Sequence, residues 1–237
     1  MPTIRIERRF RGPPESGNGG YVGGIVAAAL GGSECTVTLR APPPLDSDLT
    51  LETDGATATL CQGDQIVVTA SREPLEIDIP PPPTLAEAQD AEPRFVGHSH
   101  HIFPGCFVCG PERGGGDGMR IFPGELHDRA RRVAATWTPD DTLADDEGFV
   151  RAEFLWAALD CPGYFAAGAE AGIALLGRMS AVVHRRARAG DPLIVTGWPI
   201  GSEGRKRRVG CALHDAKGEL VAAAAATWIT LKEAKSA

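Results

Sequence analysis

Two glycines follow an asparagine where the first long apolar stretch of the chain begins, at Asn18, Gly19 and Gly20. A helix that starts there has backbone N–H groups without an intrahelical partner, and glycine lets a ligand approach them closely. Because the helix dipole adds positive potential, these amides suit an anion or the oxyanion of acyl transfer. The structural alternative is a glycine-rich turn that enters a helix, with Asn18 as its N-cap.

A second candidate for chemistry is Asp160, which ends an apolar stretch in the second half of the chain. Apolar surroundings raise the pKa of a carboxyl group and suit it to act as a general base or as a nucleophile. The sequence does not choose between these two roles. Pro162 follows closely and disfavours helical geometry, so the alternative is an exposed, inert acid at a helix end.

Histidines and cysteines gather in a short segment between these two candidates: His98, His100, His101, Cys106 and Cys109. Two thiolates and two imidazoles would complete a tetrahedral zinc site. The segment holds one CxxC pair rather than two, so the expectation is no metal, with zinc as the competing interpretation. A redox CxxC is disfavoured because no thioredoxin-like pattern surrounds it. The six cysteines of the chain are expected to be mostly reduced core residues of a cytoplasmic protein.

The overall charge argues against two classes of partner. With 24 Lys and Arg against 31 Asp and Glu, the net charge is -7, which disfavours nucleic acid or an anionic membrane as the main partner. No apolar run approaches membrane-spanning length. The basic run at residues 205–208 is either a solvated strand end or a contact for a phosphate group.

The order of the predicted elements repeats along the chain. In the first half, a strand over residues 3–10 leads through a glycine-rich turn into a helix over residues 18–30, and short strands follow. In the second half, a strand over residues 132–138 leads into a helix from about residue 150, and strands follow again. A helix with one apolar face needs a sheet to bury that face. Each half therefore predicts an α+β unit, a curved antiparallel sheet around a long central helix, and the two sheets are expected to pair edge to edge.

Four consecutive prolines mark the join between the halves. Residues 80–83 cannot continue a strand ladder and predict a stiff, extended spacer. The expected boundaries are an N-terminal unit at residues 1–79, a Pro-rich linker at residues 80–103 and a C-terminal unit at residues 104–237.

The stretch around Asp160 resembles the helix of the small hotdog acyl-CoA thioesterases, in which two glycines and an apolar stretch precede the acid. Seven positions before Asp160, this helix has Glu153 in place of the second glycine. The first helix shows the reverse, because Gly20 matches the second glycine and Ala27 stands where the acid is expected. Residues 106–122 are similar to the Cys-containing lead-in ahead of the first strand in many members of that family.

The resemblance implies a tandem, or double, hotdog arrangement with one complete site. In that family the glycine and the acid of one site come from opposite hotdog units. Applied to this chain, the rule pairs Gly20 with Asp160 and leaves Glu153 with Ala27 as a non-functional pair. The implied catalytic residues are Asp160 and Gly20, and the substrate-binding candidates are Asn18, Gly19, Tyr21 and Trp156.

The implied function is hydrolysis of an acyl-CoA or a related acyl thioester, without a metal or a dissociable cofactor. The alternative is a non-catalytic hotdog protein that binds acyl thioesters or lipids, and the helix break expected at Pro162 favours it. A hotdog hydratase is disfavoured because its Asp and His pairing in one short loop is not apparent. The fused halves supply the usual hotdog dimer within one chain, and a homo-oligomer of such chains stays open.

Overall fold

The strands of this protein form one large antiparallel sheet. The computed structural model describes residues 3–31, 34–127, 131–168 and 171–232. The strands of the first half are β1 (Thr3–Arg5), β2 (Glu34–Leu39), β3 (Asp48–Thr53), β4 (Thr57–Gln62) and β5 (Gln65–Ser71). Those of the second half are β6 (Gly124–Glu125), β7 (Val133–Trp137), β8 (Ala174–Val183), β9 (Leu193–Glu203), β10 (Lys206–Asp215) and β11 (Leu220–Thr230). In space they follow the order β1-β3-β4-β5-β2-β8-β11-β10-β9-β7-β6.

The two halves meet where β2 pairs with β8. Each half keeps its own strands together in the sheet, and the antiparallel β2–β8 pair runs from Glu34 opposite Val182 to Thr38 opposite Arg178. The pairing satisfies backbone groups that an edge strand would expose on each half. The predicted edge-to-edge joining of the two sheets is confirmed.

The helices differ from the expectation in the second half. The first helix, α1, spans Gly19–Ala28 and lies within the predicted range. The single long helix expected from about residue 150 is instead two seven-residue helices, α3 (Ala152–Ala158) and α4 (Cys161–Ala167). Pro162 explains the break, because proline lacks an N–H and its ring clashes with the carbonyl group four residues earlier, whereas it is tolerated in the first turn of a new helix.

The proline-rich segment between the halves contains a helix that the sequence interpretation missed. Residues 72–84 have no regular structure, but α2 spans Leu85–Ala91. Thr84 and Glu87 form a reciprocal capping box at its start, which is a recognisable sequence signal for a helix N-terminus. The alanines of this helix pack on β7 and β9 in a small apolar cluster: Ala88, Ala91, Ala134 and Ile194. None of the described helices is long and apolar enough to cross a membrane.

Two glycines of α1 allow it to pack closely against α3. A Cβ at Gly20 would lie 2.6 Å from the Trp156 carbonyl oxygen, and a Cβ at Gly24 would lie 2.6 Å from Glu153 Cα. Successive contacts along α1 thus meet earlier residues of α3, so the two helices run antiparallel. This contact brings the start of α1 to the end of α3, where Asp160 stands.

The close helix contact predicts that Gly24→Ala destabilises the fold. Alanine favours a helix over glycine by up to about 1 kcal/mol, but a Cβ that meets backbone forces the helices apart at about 1–3 kcal/mol. The free energy of unfolding in urea should therefore fall. Gly115→Ala is the matched control, because a Cβ there has nothing within 4 Å. An unchanged or raised stability for Gly24→Ala would contradict the packing.

Candidate active site between the two halves

Asp160 lies in the short break between α3 and α4, where its side chain reaches the start of α1. The residue is 2% exposed. Its Oδ2 accepts hydrogen bonds from Asn18 Nδ2 at 2.8 Å and from the Gly20 backbone N–H at 3.0 Å. The exposed, inert acid that the sequence allowed is excluded, because the carboxylate is buried and makes no side-chain cap on α4. The structure thus brings together Asn18, Gly20 and Asp160, which are far apart in sequence.

Asn18 holds both partners of this contact. Its Oδ1 accepts from the Tyr21 N–H at 2.9 Å, so it is the N-cap of α1. Its Nδ2 faces Asp160 at the same time. The amide group therefore joins the start of α1 to the carboxylate.

The backbone N–H groups of Gly19 and Gly20 differ in whether they already donate a hydrogen bond. The Gly20 N–H already donates to Asp160, so it holds the carboxylate in this conformation rather than facing an empty space. The Gly19 N–H donates to no acceptor among the described residues, and Gly19 lines the cavity next to Asp160. Of the two, Gly19 has the amide that a ligand can reach.

The environment of Asp160 favours a carboxyl group that changes protonation near neutrality. Burial is the largest effect and raises the pKa of Asp160 to about 7. The nearby Cys106 also raises this pKa, whereas the hydrogen bonds from the Gly20 N–H and from Asn18 lower it. Within the described part of the chain, Asp160 Oδ1 is buried without a hydrogen-bond partner. A buried polar atom without a partner requires an explanation, and a reacting group or a bound ligand is one.

A cavity of about 280 Å³ opens beside this carboxylate. Its wall is formed by the start of α1, the end of β2, the loop around residue 103, the first turn of α4, and strands β8 and β11. Most of the wall is apolar, including Leu39, Phe103, Tyr164, Leu176 and Ile229. An apolar cavity with a few convergent polar groups is the usual form of a small-molecule site.

Two predicted substrate-binding residues do not line this cavity. The Tyr21 ring stacks on Phe10 at a centroid distance of 4.3 Å, and Trp156 is 1% exposed and packs against Gly23. Successive helix residues point about 100° apart, so Tyr21 projects away from the face on which Gly19 meets the cavity. Both side chains pack in the core, and their role as substrate contacts stays a prediction.

Glu153 and Ala27, which stand at the glycine and acid positions of the other pair, show no comparable arrangement. Glu153 Oε1 lies 3.2 Å from Arg151 Nε in an ion pair, and the Glu153 side chain is 22% exposed. Ala27 is buried in the core. Neither residue repeats the contact between a buried carboxylate and a helix N-terminus.

Two cysteines of the segment at residues 98–109 lie close to Cys161, which the sequence did not indicate as their neighbour. His98 Nε2 lies 3.2 Å from the Glu92 carbonyl oxygen, and His100 is exposed. Cys106 and Cys109 instead meet Cys161, and the three sulfurs lie within 4.8 Å of one another. Cys161 is remote in sequence, so no local spacing could indicate it; the one available signal was its place next to Asp160. All six cysteines are free, and all but Cys61 are buried, which confirms that most of them are core residues; their reduced state stays a prediction.

Several solved structures have a fold similar to that of this chain. A protein of Novosphingobium aromaticivorans, provisionally named a thioesterase, matches with a TM-score of 0.65 and 13% identity over 97% of this chain and 95% of its own. A TesB protein of Mycobacterium avium subspecies paratuberculosis matches with a TM-score of 0.63 and 15% identity over 97% of this chain and 92% of its own. A protein of Thermobifida fusca, provisionally named thioesterase II, gives a TM-score of 0.62 and 13% identity over 97% and 93%. The chain has the fold of these thioesterases.

The resemblance noted around Asp160 is thus confirmed at the level of the fold. No protein-family model matches the sequence, and no curated protein matches it. At such low identity the thioesterase fold says how the chain is built and leaves its chemistry to the residues of the site.

Asn18 both caps α1 and donates to Asp160. Substitution by Ser or by Asp keeps a side-chain oxygen for the cap, but the two changes should lower the free energy of unfolding by different amounts. Asn18→Ser removes the donor to Asp160 and should lower the free energy of unfolding by about 1–3 kcal/mol. Asn18→Asp should cost more at neutral pH, because it also places a second carboxylate beside Asp160. Urea denaturation of both variants checks the order. An Asn18→Asp chain as stable as the wild type would contradict the contact.

Proposed function

We propose that the chain hydrolyses acyl thioesters, with acyl-CoA as the expected form, at one site between two hotdog units. The units are residues 1–79 and 104–237, joined by the linker at residues 80–103. The observation that carries the proposal is the Asp160 carboxylate. It lies in the wall of an apolar cavity, with Oδ2 held by donors from the other half of the chain and Oδ1 without a partner.

In the proposed reaction, Asp160 acts as a general base. Its Oδ1, which is buried in the ligand-free chain, becomes accessible when the substrate binds and takes a proton from a water molecule. The water oxygen attacks the thioester carbonyl carbon. The tetrahedral intermediate then collapses, the carbon–sulfur bond breaks, and the thiol leaves with the returned proton. Asn18 and Gly20 act as positioning residues, because their two hydrogen bonds fix the plane of the carboxylate. We favour a base over a nucleophile because these bonds hold Asp160 in one orientation.

The developing oxyanion needs a donor, and the Gly19 N–H is the best placed. It is the first amide of α1, so the helix dipole reinforces it, and no described residue accepts from it. This revises the oxyanion role expected for Gly20, whose N–H is bound to Asp160. A single oxyanion donor typically contributes about a hundredfold or more in rate.

The cavity suits the acyl end of the substrate. Its volume of about 280 Å³ lies just below the range of about 300–1,000 Å³ for small-molecule sites. The carrier thiol is therefore expected to extend outside, where Arg40 is exposed at the wall of the cavity. An arginine there suits the phosphates of coenzyme A. The basic run at residues 205–208 does not line this cavity.

Two further expectations belong to this proposal. The six free thiols support the predicted cytoplasmic location, because disulfides are rare in that compartment. The net charge of -7 supports a small-molecule partner rather than nucleic acid or an anionic membrane.

The second candidate is a protein that binds acyl thioesters or lipids without hydrolysing them. The break between α3 and α4 favours it, because Asp160 stands outside regular helix at φ −82° and ψ −75°. Binding of several acyl-CoAs by the wild-type chain with no release of free thiol would select this candidate.

The base role predicts that Asp160→Asn lowers kcat by about 10²–10⁴-fold, because asparagine keeps the shape of the side chain and cannot accept the proton. Glu153→Gln is the matched control, since it neutralises the other acid of the same helical region and should keep wild-type kcat. Release of thiol from a series of acyl-CoAs measures both variants. Wild-type kcat in Asp160→Asn would contradict the mechanism.

The single composite site predicts one ligand per chain. Asp160→Asn protein titrated with an acyl-CoA in a calorimeter should bind one equivalent, because the pair of Glu153 and Ala27 forms no second site. The inactive variant keeps the ligand intact during the titration. Two equivalents per chain, or loss of one equivalent on Glu153→Gln substitution, would contradict a single site.

A further inference from the structure

We infer that Cys106, Cys109 and Cys161 form a binding site for a soft divalent metal ion, zinc foremost, in the wall of the cavity. The three sulfurs lie within 4.8 Å of one another, and those of Cys106 and Cys161 are 3.8 Å apart. Zinc–thiolate bonds of about 2.3 Å in tetrahedral geometry place two sulfurs about 3.8 Å apart. The sulfurs are therefore already near the spacing that coordination requires.

The backbone around the CxxC pair is shaped to present two sulfurs on one side. The Gly110 N–H donates to the Cys106 carbonyl oxygen at 2.9 Å and closes a tight turn. A Cβ at Gly110 would lie 2.4 Å from the Pro104 carbonyl oxygen and 2.5 Å from that of Cys106, so only glycine fits. The third sulfur comes from the first residue of α4, which places it opposite this turn.

His101 supports the site from outside the three sulfurs. Its Nδ1 accepts from the Phe103 N–H at 3.0 Å, so in the neutral ring the proton is on Nε2. That nitrogen lies 3.3 Å from Cys109 Sγ and donates to it. A hydrogen bond from a second residue to a metal-bound thiolate is a common feature of metal sites. His101 is thus a positioning residue rather than a fourth ligand.

Three protein ligands leave one coordination position open. All three cysteines line the cavity, so the open position faces it, and a water molecule or a small ligand completes the tetrahedron. The proposal differs from the sequence expectation of no metal. Its ligand set also differs from that of the competing zinc interpretation, because His98 and His100 lie elsewhere and Cys161 takes their place.

A metal ion explains this arrangement better than a redox pair does. A disulfide uses two sulfurs, whereas here three converge and a histidine donates to one of them. Within the described ranges, no arginine or lysine hydrogen-bonds to any of the three sulfurs. Three thiolates buried together would therefore need a cation, which a bound zinc ion would supply.

The site would tie together two parts of the cavity wall. Cys106 and Cys109 belong to the loop before β6, and Cys161 directly follows Asp160. Metal binding would thus fix the break between α3 and α4 through Cys161, whose Sγ also lies 4.0 Å from Asn18 Nδ2. Because the inference concerns metal affinity, it holds or fails independently of thioester hydrolysis.

Titration of the full chain with Co²⁺, after removal of metal under reducing conditions, tests the site. We expect a thiolate-to-cobalt charge-transfer band that saturates at one equivalent and disappears when Zn²⁺ is added. Cys106→Ser and Cys109→Ser should abolish the band, and His101→Ala should weaken affinity by about 10- to 100-fold. Cys35→Ser is the matched control, since Cys35 is also buried and lies outside the cluster.

Thermal unfolding of the wild-type chain gives a second measurement that needs no folded variant. Because metal binds the native state, Zn²⁺ should raise Tm and a chelator should lower it. Absence of the charge-transfer band in the reduced wild type would overturn the inference. So would a band of equal strength in Cys106→Ser, or a Tm that Zn²⁺ leaves unchanged.

Discussion

The buried contact between Asp160 and the start of α1 is the interaction on which the site depends. A carboxylate removed from water costs several kcal/mol unless hydrogen bonds replace its hydration. Here Asn18 and Gly20 supply two such bonds, and both come from the other half of the chain. The pairing of β2 with β8 and the close packing of α1 on α3 fix the distance over which these bonds form. The architecture of the sheet thus determines the chemistry of one side chain.

Fusion of two similar units in one chain permits the halves to differ. The helix contact is alike at two points, because Gly20 and Gly24 each approach the backbone of α3 closely. The chemistry is not alike, since Asp160 bonds to a helix N-terminus and Glu153 pairs with Arg151 on the partly exposed side. Two identical subunits would carry the same residue at each glycine position and at each acid position. A single chain can keep the glycine in one half, at Gly20, and the acid in the other, at Asp160.

The order of the strands could be predicted from the sequence, because strand and turn patterns are local. The edge-to-edge pairing of the two halves was expected because it removes exposed strand edges. The pairing of Gly20 with Asp160 was implied by the resemblance to the hotdog thioesterases, whose glycine and acid come from opposite units. The structure brings these two residues into contact. Other features depend on tertiary structure and left no local signal. The Gly20 amide turned out to be bound to Asp160, and Cys161 joined the CxxC pair from a distant helix. Tyr21 and Trp156 pack in the core and do not line the cavity, because an aromatic residue beside a site packs in the core equally well.

We expect an acyl thioester to bind with its carbonyl group between the Gly19 amide and Asp160 Oδ1. This binding mode can be tested by a crystal structure with a ketone analogue of an acyl-CoA, in which a methylene replaces the thioester sulfur. The acyl group should fill the cavity, and the carbonyl oxygen should accept a hydrogen bond from the Gly19 N–H. One water molecule should fit between the carbonyl carbon and Asp160 Oδ1. A carbonyl bound beside Glu153, or outside the cavity, would contradict this binding mode.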